Sequence, residues 1–167
     1  MNKIYKFSNE FCDSIIKNLS DKDKFILQYQ QEEFTNDSNL RVQLNQPTDA
    51  DGWDINHNKE IINEIINILN THINNISEFH FCVQRLDVNK KSKSHTDSYD
   101  FTSVILLNDE FENGDLIIDN EHSNLKKGEF LIFNSNKMHY VEKITNGERY
   151  TLVGFINTKK KIEKTLL

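Results

Sequence analysis

The chain has 167 residues, 37% hydrophobic and 28% charged, and its 26 acidic against 20 basic side chains give a net charge of −6. This is the length and composition of one globular domain that buries a core without covalent staples. Two distant cysteines, Cys12 and Cys82, exclude a disulfide framework and argue against a cysteine-based zinc site; the acid excess disfavours nucleic acid as a partner, and no apolar run reaches the roughly 20 residues of a membrane helix.

Met1-Asn2-Lys3-Ile4-Tyr5-Lys6 leads into polar residues rather than an apolar signal core, so a cytoplasmic location is expected. Ser8 is placed to cap a first helix carrying Phe11, Ile15, Ile16 and Leu19 at helical spacing. Segments 24–30 and 39–44 read as strands, and 46–58, with the single Pro and single Trp, reads as a long loop. Asn58 caps a second helix whose apolar stripe runs through Ile61, Ile62, Ile65, Ile66, Leu69, Ile73 and Ile76. Short strands follow at 78–87, 101–107, 115–119, 129–133, 138–143 and 149–156. Turn signals stand at Asn113-Gly114, Lys127-Gly128 and Asn146-Gly147. The pattern predicts a mainly β domain, a sandwich or barrel with the two helices on the outside of one sheet (α+β). It divides into helices and strands over 1–76, a β core over 77–157 and a basic tail over 158–167.

Among six histidines, His95 and His139 stand out. His95-Thr96-Asp97 precedes a strand, and residues two apart on an extended segment point the same way. His139, on a later strand, is placed to add a third ligand. Two His and one carboxylate on one face of a metal leave three positions open, the arrangement of non-heme Fe(II) oxygenases, although the same set suits Zn. Arg149 and Thr151 share one face of the last strand. An interior Arg needs an anion, and a dicarboxylate supplies one. Of the other candidates, His80 alternates with Cys82 and Gln84 and reads as a satisfied interior residue. His122 reads as exposed, and His57 as near the mouth of a site. Trp53 is either a staple for its loop or a ring facing substrate. Asp115 reads as structural, Cys12 and Cys82 as small core residues, and the Lys90–Lys93 stretch as a solvated loop.

The order of these pieces resembles the Fe(II)/2-oxoglutarate-dependent dioxygenases, in particular their prolyl 4-hydroxylase-like branch. The matching stretches are HTD at 95–97, FTSVILLNDEFENGDL at 101–116, LKKGEFLIF at 125–133 and MHYVEKITNGERYTL at 138–152. The resemblance implies a double-stranded β-helix (jelly-roll) core with N-terminal support helices. It implies Fe(II) on His95, Asp97 and His139, 2-oxoglutarate anchored by Arg149 with Thr151, O₂ as oxidant and ascorbate in support. The implied reaction is hydroxylation of an unactivated C–H bond in a peptide, protein or small-molecule substrate, with release of succinate and CO₂. An intact Asp97 favours hydroxylation over halogenation. The family's tyrosines before His-x-Asp are missing, with Leu86 and Ser92 in their places. Gln84 and Thr102 are expected to face the co-substrate instead. The alternatives from the residues themselves are a jelly-roll binding module and a Zn site, neither of which needs a buried anion anchor.

Overall fold

The computed structural model describes residues 1–27 and 48–160. The strand expected at 39–44 and most of the basic tail lie outside the described residues. In chain order the elements are β1 (Lys3–Lys6), α1 (Asn9–Lys17), one 3₁₀ turn (Asp21–Asp23), β2 (Lys24–Ile26), β3 (Asp51–Asp54), α2 (Lys59–Leu69) and β4 (Ile76–Leu86). They continue with β5 (Phe101–Leu106), β6 (Phe111–Asn113), β7 (Leu116–Ile118), β8 (Glu121–His122), β9 (Glu129–Asn134), β10 (His139–Val141), β11 (Ile144–Gly147) and β12 (Arg149–Thr158).

Both helices begin where their caps predict. Ser8 Oγ accepts from Phe11 N at 3.1 Å, and Asn58 Oδ1 accepts from Ile61 N at 3.3 Å. The second helix ends at Leu69, earlier than its apolar stripe suggests. Ile73 N still bonds Leu69 O at 2.8 Å, after which Asn75, at φ 60°, turns the chain and Ile76 opens β4. The stripe outlasts the helix because the turn and the next strand face the same core. Two further expectations are corrected. The loop at 46–58 contains β3, whose Asp51 and Trp53 pair with Arg85 and Val83 of β4. Asn146-Gly147 lies within β11, paired with β6 at an irregular register, with Gly147 at φ 74°.

The main sheet is antiparallel, in the order β1-β9-β5-β12-β4-β3-β2; a smaller sheet, β10-β7-β8, and the β11-β6 pair complete the jelly roll. Alternation sorts the main sheet into two faces. Phe81, Val83, Ile105, Phe130, Leu152 and Ile156 pack with Ile15, Ile62, Ile65 and Leu69 of the helices. Cys82, Val104, Leu131, Phe133 and Val153 pack against Leu116 and Ile118 of the smaller sheet. The second face holds the site.

Gly154 lies on the helix face, between Phe81 and Ser103 of the neighbouring strands. A Cβ there would run into the Phe81 ring and the Ser103 hydroxyl. Gly154→Ala is expected to cost about 1–3 kcal/mol through overpacking, read as a lower urea midpoint at unchanged slope. An unchanged midpoint would show that the sheet yields there.

Candidate metal centre and active site

His95 and His139 meet across an isolated antiparallel bridge. His95 N donates to His139 O at 3.0 Å, and His139 N to His95 O at 2.9 Å. Asp97 N donates to Ser135 O at 2.9 Å, which holds 95–97 extended with both side chains on one side. The ligand atoms of His95, Asp97 and His139 lie within 4.8 Å of one another, the one such cluster among the described residues.

The rings are oriented from behind. Nδ1 of His95 is 2.6 Å from Lys93 O, and Nδ1 of His139 is 2.9 Å from Lys137 O. A carbonyl only accepts, so each Nδ1 carries a proton and each Nε2 faces inward. His139 Nε2 is 3.2 Å and His95 Nε2 3.5 Å from Asp97. Burial pushes the Asp97 carboxyl up, but the neighbouring His139 and His95 rings and the Thr102 hydroxyl outweigh it and hold the group well below the usual carboxylate range. Thr102 Oγ1 donates to Asp97 Oδ2 at 2.6 Å, so the fully buried Ser135, 2.8 Å away, donates to Thr102. The set fits a divalent metal with nitrogen and oxygen ligands: two imidazoles with fixed tautomers and one carboxylate kept ionised and oriented.

The centre opens into a cavity of about 260 Å³ whose wall includes Arg149, Thr151, Gln84 and Thr102, as well as the three ligands. Arg149 is 4% exposed, and among the described residues no carboxylate or hydrogen-bond acceptor pairs with its guanidinium. Burial pushes its pKa down to about 10, against a smaller upward pull from Asp115. A buried cation without a partner is a costly arrangement unless an anion completes it.

The other expectations divide. Thr102 stands on the cavity wall, yet its hydroxyl is engaged by Asp97 and Ser135, which makes it a support of the ligand rather than a contact left for a co-substrate. Gln84 also lines the wall, with Nε2 3.8 Å from Cys82 Sγ. Where tyrosines were expected, Ser92 Oγ accepts from Val141 N at 2.6 Å and Leu86 packs with Ala50 and Ile144. His80 is not interior: it is exposed and lines the cavity at its edge. His57 is away from the mouth, 3.8 Å from Asp23 in a small cleft beside the helices. Trp53 is a staple, 5% exposed in the helix-side core, with the Arg85 guanidinium 5.4 Å from the ring. Asp115 is structural, accepting from Ser123 Oγ at 2.8 Å and facing the exposed His122 at 2.9 Å. Ser135 and the carbonyls of Lys93 and Lys137 went unread in the sequence, since only the pairing of 95–97 with 135–139 brings them in.

Residues 69–157 match the model of the 2OG-Fe(II) oxygenase superfamily. A PKHD-type hydroxylase of Prochlorococcus marinus (strain AS9601) is 42% identical over 69 residues, covering 38% of this chain and 31% of that protein. The chain thus spans about a third of the curated relative it matches. The viral collagen prolyl hydroxylase of Paramecium Bursaria Chlorella virus-1 superposes with a TM-score of 0.64 at 16% identity, over 95% of this chain and 96% of that one. A Pseudomonas putida prolyl-4-hydroxylase does so with a TM-score of 0.54 at 14% identity, over 68% and 74%. At such identities these structures speak for the shared fold.

Thr102→Val removes the hydroxyl behind Asp97 while keeping the shape of the side chain. Affinity for Co(II), titrated without oxygen, is expected to fall by about 10–100-fold. An unchanged affinity would remove Thr102 from the support of the centre.

Proposed function

The chain belongs to the 2OG-Fe(II) oxygenase superfamily, and on that premise we propose that it hydroxylates a C–H bond of a prolyl residue in a peptide or protein. The observation that carries this reading is the pairing, in one cavity, of a His-Asp-His cluster with a buried guanidinium that has no partner among the described residues. His95, Asp97 and His139 would hold Fe(II). When bound, the metal supplies the O₂ activation that couples decarboxylation of 2-oxoglutarate, to succinate and CO₂, with conversion of a substrate C–H to C–OH.

The remaining roles fall to this chain's own side chains. Arg149 takes the far carboxylate of 2-oxoglutarate as a charge-assisted pair, and the Thr151 hydroxyl, on the same strand face, adds a donor. Val104, Leu116, Phe133 and Val153 keep the interior dry, which strengthens the Arg149 pair and protects the reacting centre from water. Ser135 and Thr102 hold Asp97 in its ionised, inward orientation. The prolyl substrate is supported by the names of the related proteins, two of them prolyl hydroxylases. A binding module or a Zn site would leave Arg149 without a purpose.

Arg149→Ala is expected to raise the 2-oxoglutarate requirement by roughly 10–100-fold, the loss of one charge-assisted pair. Asp97→Ala is expected to abolish Fe(II)-dependent succinate formation while circular dichroism stays unchanged. Succinate formation at the wild-type rate in Asp97→Ala would sink the metal assignment; an unaltered 2-oxoglutarate requirement in Arg149→Ala would sink the anchor.

A further inference from the structure

Arg149 borders two cavities. One is the cavity of the metal ligands. The other, of about 210 Å³, holds none of those ligands and is walled by Leu106, Phe111 and Leu125 and by the carboxylate residues Asp115 and Glu142. Strand pairing leaves room for it. β12 pairs with β5 from Thr151 onward, with Leu106 opposite, so Arg149 stands beyond the last rung between the two strands. The backbone at Gly114 runs beside the Arg149 stem, close enough that a Cβ there would stand 3.5 Å from Cδ of Arg149. Asp115 is the next residue along that backbone.

The Asp115 carboxylate is fixed by groups of its own turn. Oδ1 accepts from Ser123 Oγ at 2.8 Å and from Asn124 N at 3.1 Å, and Oδ2 lies 2.9 Å from His122 Nδ1. These bonds give the residue its structural role. Its charge reaches further. Burial pushes Arg149 down, and Asp115 pulls it back up without pairing with it. A carboxylate held at a fixed place, short of contact, exerts a steady field on that cation and on any anion the cation receives.

We propose that Asp115 acts through Arg149 as a fixed counter-charge that weakens the hold on dicarboxylates. This rests on the oxygenase reading and extends it to how tightly co-substrate and product are kept. The sign follows from charge. In the empty site Asp115 attracts the buried guanidinium and offsets part of its desolvation. In the loaded site that attraction persists, but the far carboxylate of the bound diacid, seated at Arg149, is repelled by Asp115. Asp115 therefore favours the empty state over the loaded one. Succinate keeps the far carboxylate of 2-oxoglutarate unchanged, so both diacids are affected by a similar factor. A product that carries the anchoring group of its precursor has to be released, and a like charge near the anchor serves that step.

The test titrates 2-oxoglutarate into the Fe(II)-loaded protein without oxygen, with affinity read by calorimetry and the visible charge-transfer band reporting an intact site in every variant. Succinate affinity is read from its displacement of 2-oxoglutarate. Asp115→Asn keeps an oxygen acceptor for Ser123 and removes the charge. It is expected to bind both diacids about 3–10-fold more tightly. Ser123→Ala loosens the same turn and keeps the charge, and its affinities are expected to match wild type. Asn113 lines the second cavity at φ 61°, a conformation that Asp tolerates. Asn113→Asp adds a carboxylate with Asp115 in place and is expected to weaken both diacids; it carries the test if Asp115→Asn does not fold. Unchanged or weaker binding in folded Asp115→Asn, equal tightening in Ser123→Ala, or unchanged or tighter binding in Asn113→Asp would each overturn the proposal. No charge-transfer band in the folded wild type would instead overturn the oxygenase reading, and this inference with it.

Discussion

The two-residue alternation of β12 is the constraint on which the rest of the molecule depends. Tyr150, Leu152, Gly154 and Ile156 face the helices, while Arg149, Thr151, Val153 and Phe155 face the smaller sheet. Both neighbours are locked to this strand, β4 over nearly its whole length and β5 from Phe101 to Leu106. A slip of one residue would turn Arg149 into the apolar packing and expose Leu152 to the cavity. The hydrophobic core and the site are therefore set by one register, and stability and chemistry cannot be changed independently along this strand. Gly154 marks how tight the arrangement is, since the Phe81 ring occupies the space a side chain would need.

Charge is distributed unevenly over the cavity. Asp97 has two imidazoles and the Thr102 hydroxyl about it, whereas Arg149 has none of the described acceptors. The carboxylate is held ionised by its surroundings, and the guanidinium is penalised by its own. A divalent metal would strengthen the first arrangement by taking the Nε2 lone pairs and the carboxylate together. A dianion relieves the second. Among the described residues the interior thus holds a cation without a matching anion, which is the expected signature of a ligand site rather than of a structural ion pair.

Much of this was legible because it is local. The caps at Ser8 and Asn58, the strand at 101–106 and the His-x-Asp geometry follow from short-range rules. Two of the failures share one cause, long-range pairing. β3 reads as loop because it carries Asp51, Gly52 and Asp54, residues poor in strand propensity, and pairing with β4 overrides that preference. Asn146-Gly147 reads as a hairpin turn, yet the same tolerance of φ > 0 serves an irregular strand. The stripe of α2 was read too far because burial continues after the helix stops. Ser135 carried no signal at all, since it acts on a residue far away in sequence.

The departures from the family pattern bear on where selectivity resides. Leu86 and Ser92 supply no phenol to the deep end: one packs in the core, and the other is engaged by the main chain of Val141. Among the described residues, Arg149, Thr151 and Gln84 line that end of the cavity. The open end, by contrast, carries His80, on the rung of Phe155 and Thr102. Among the described residues, polar side chains gather at the closed end, around Arg149, Thr151 and Gln84, and thin toward the rung of Phe155 and His80.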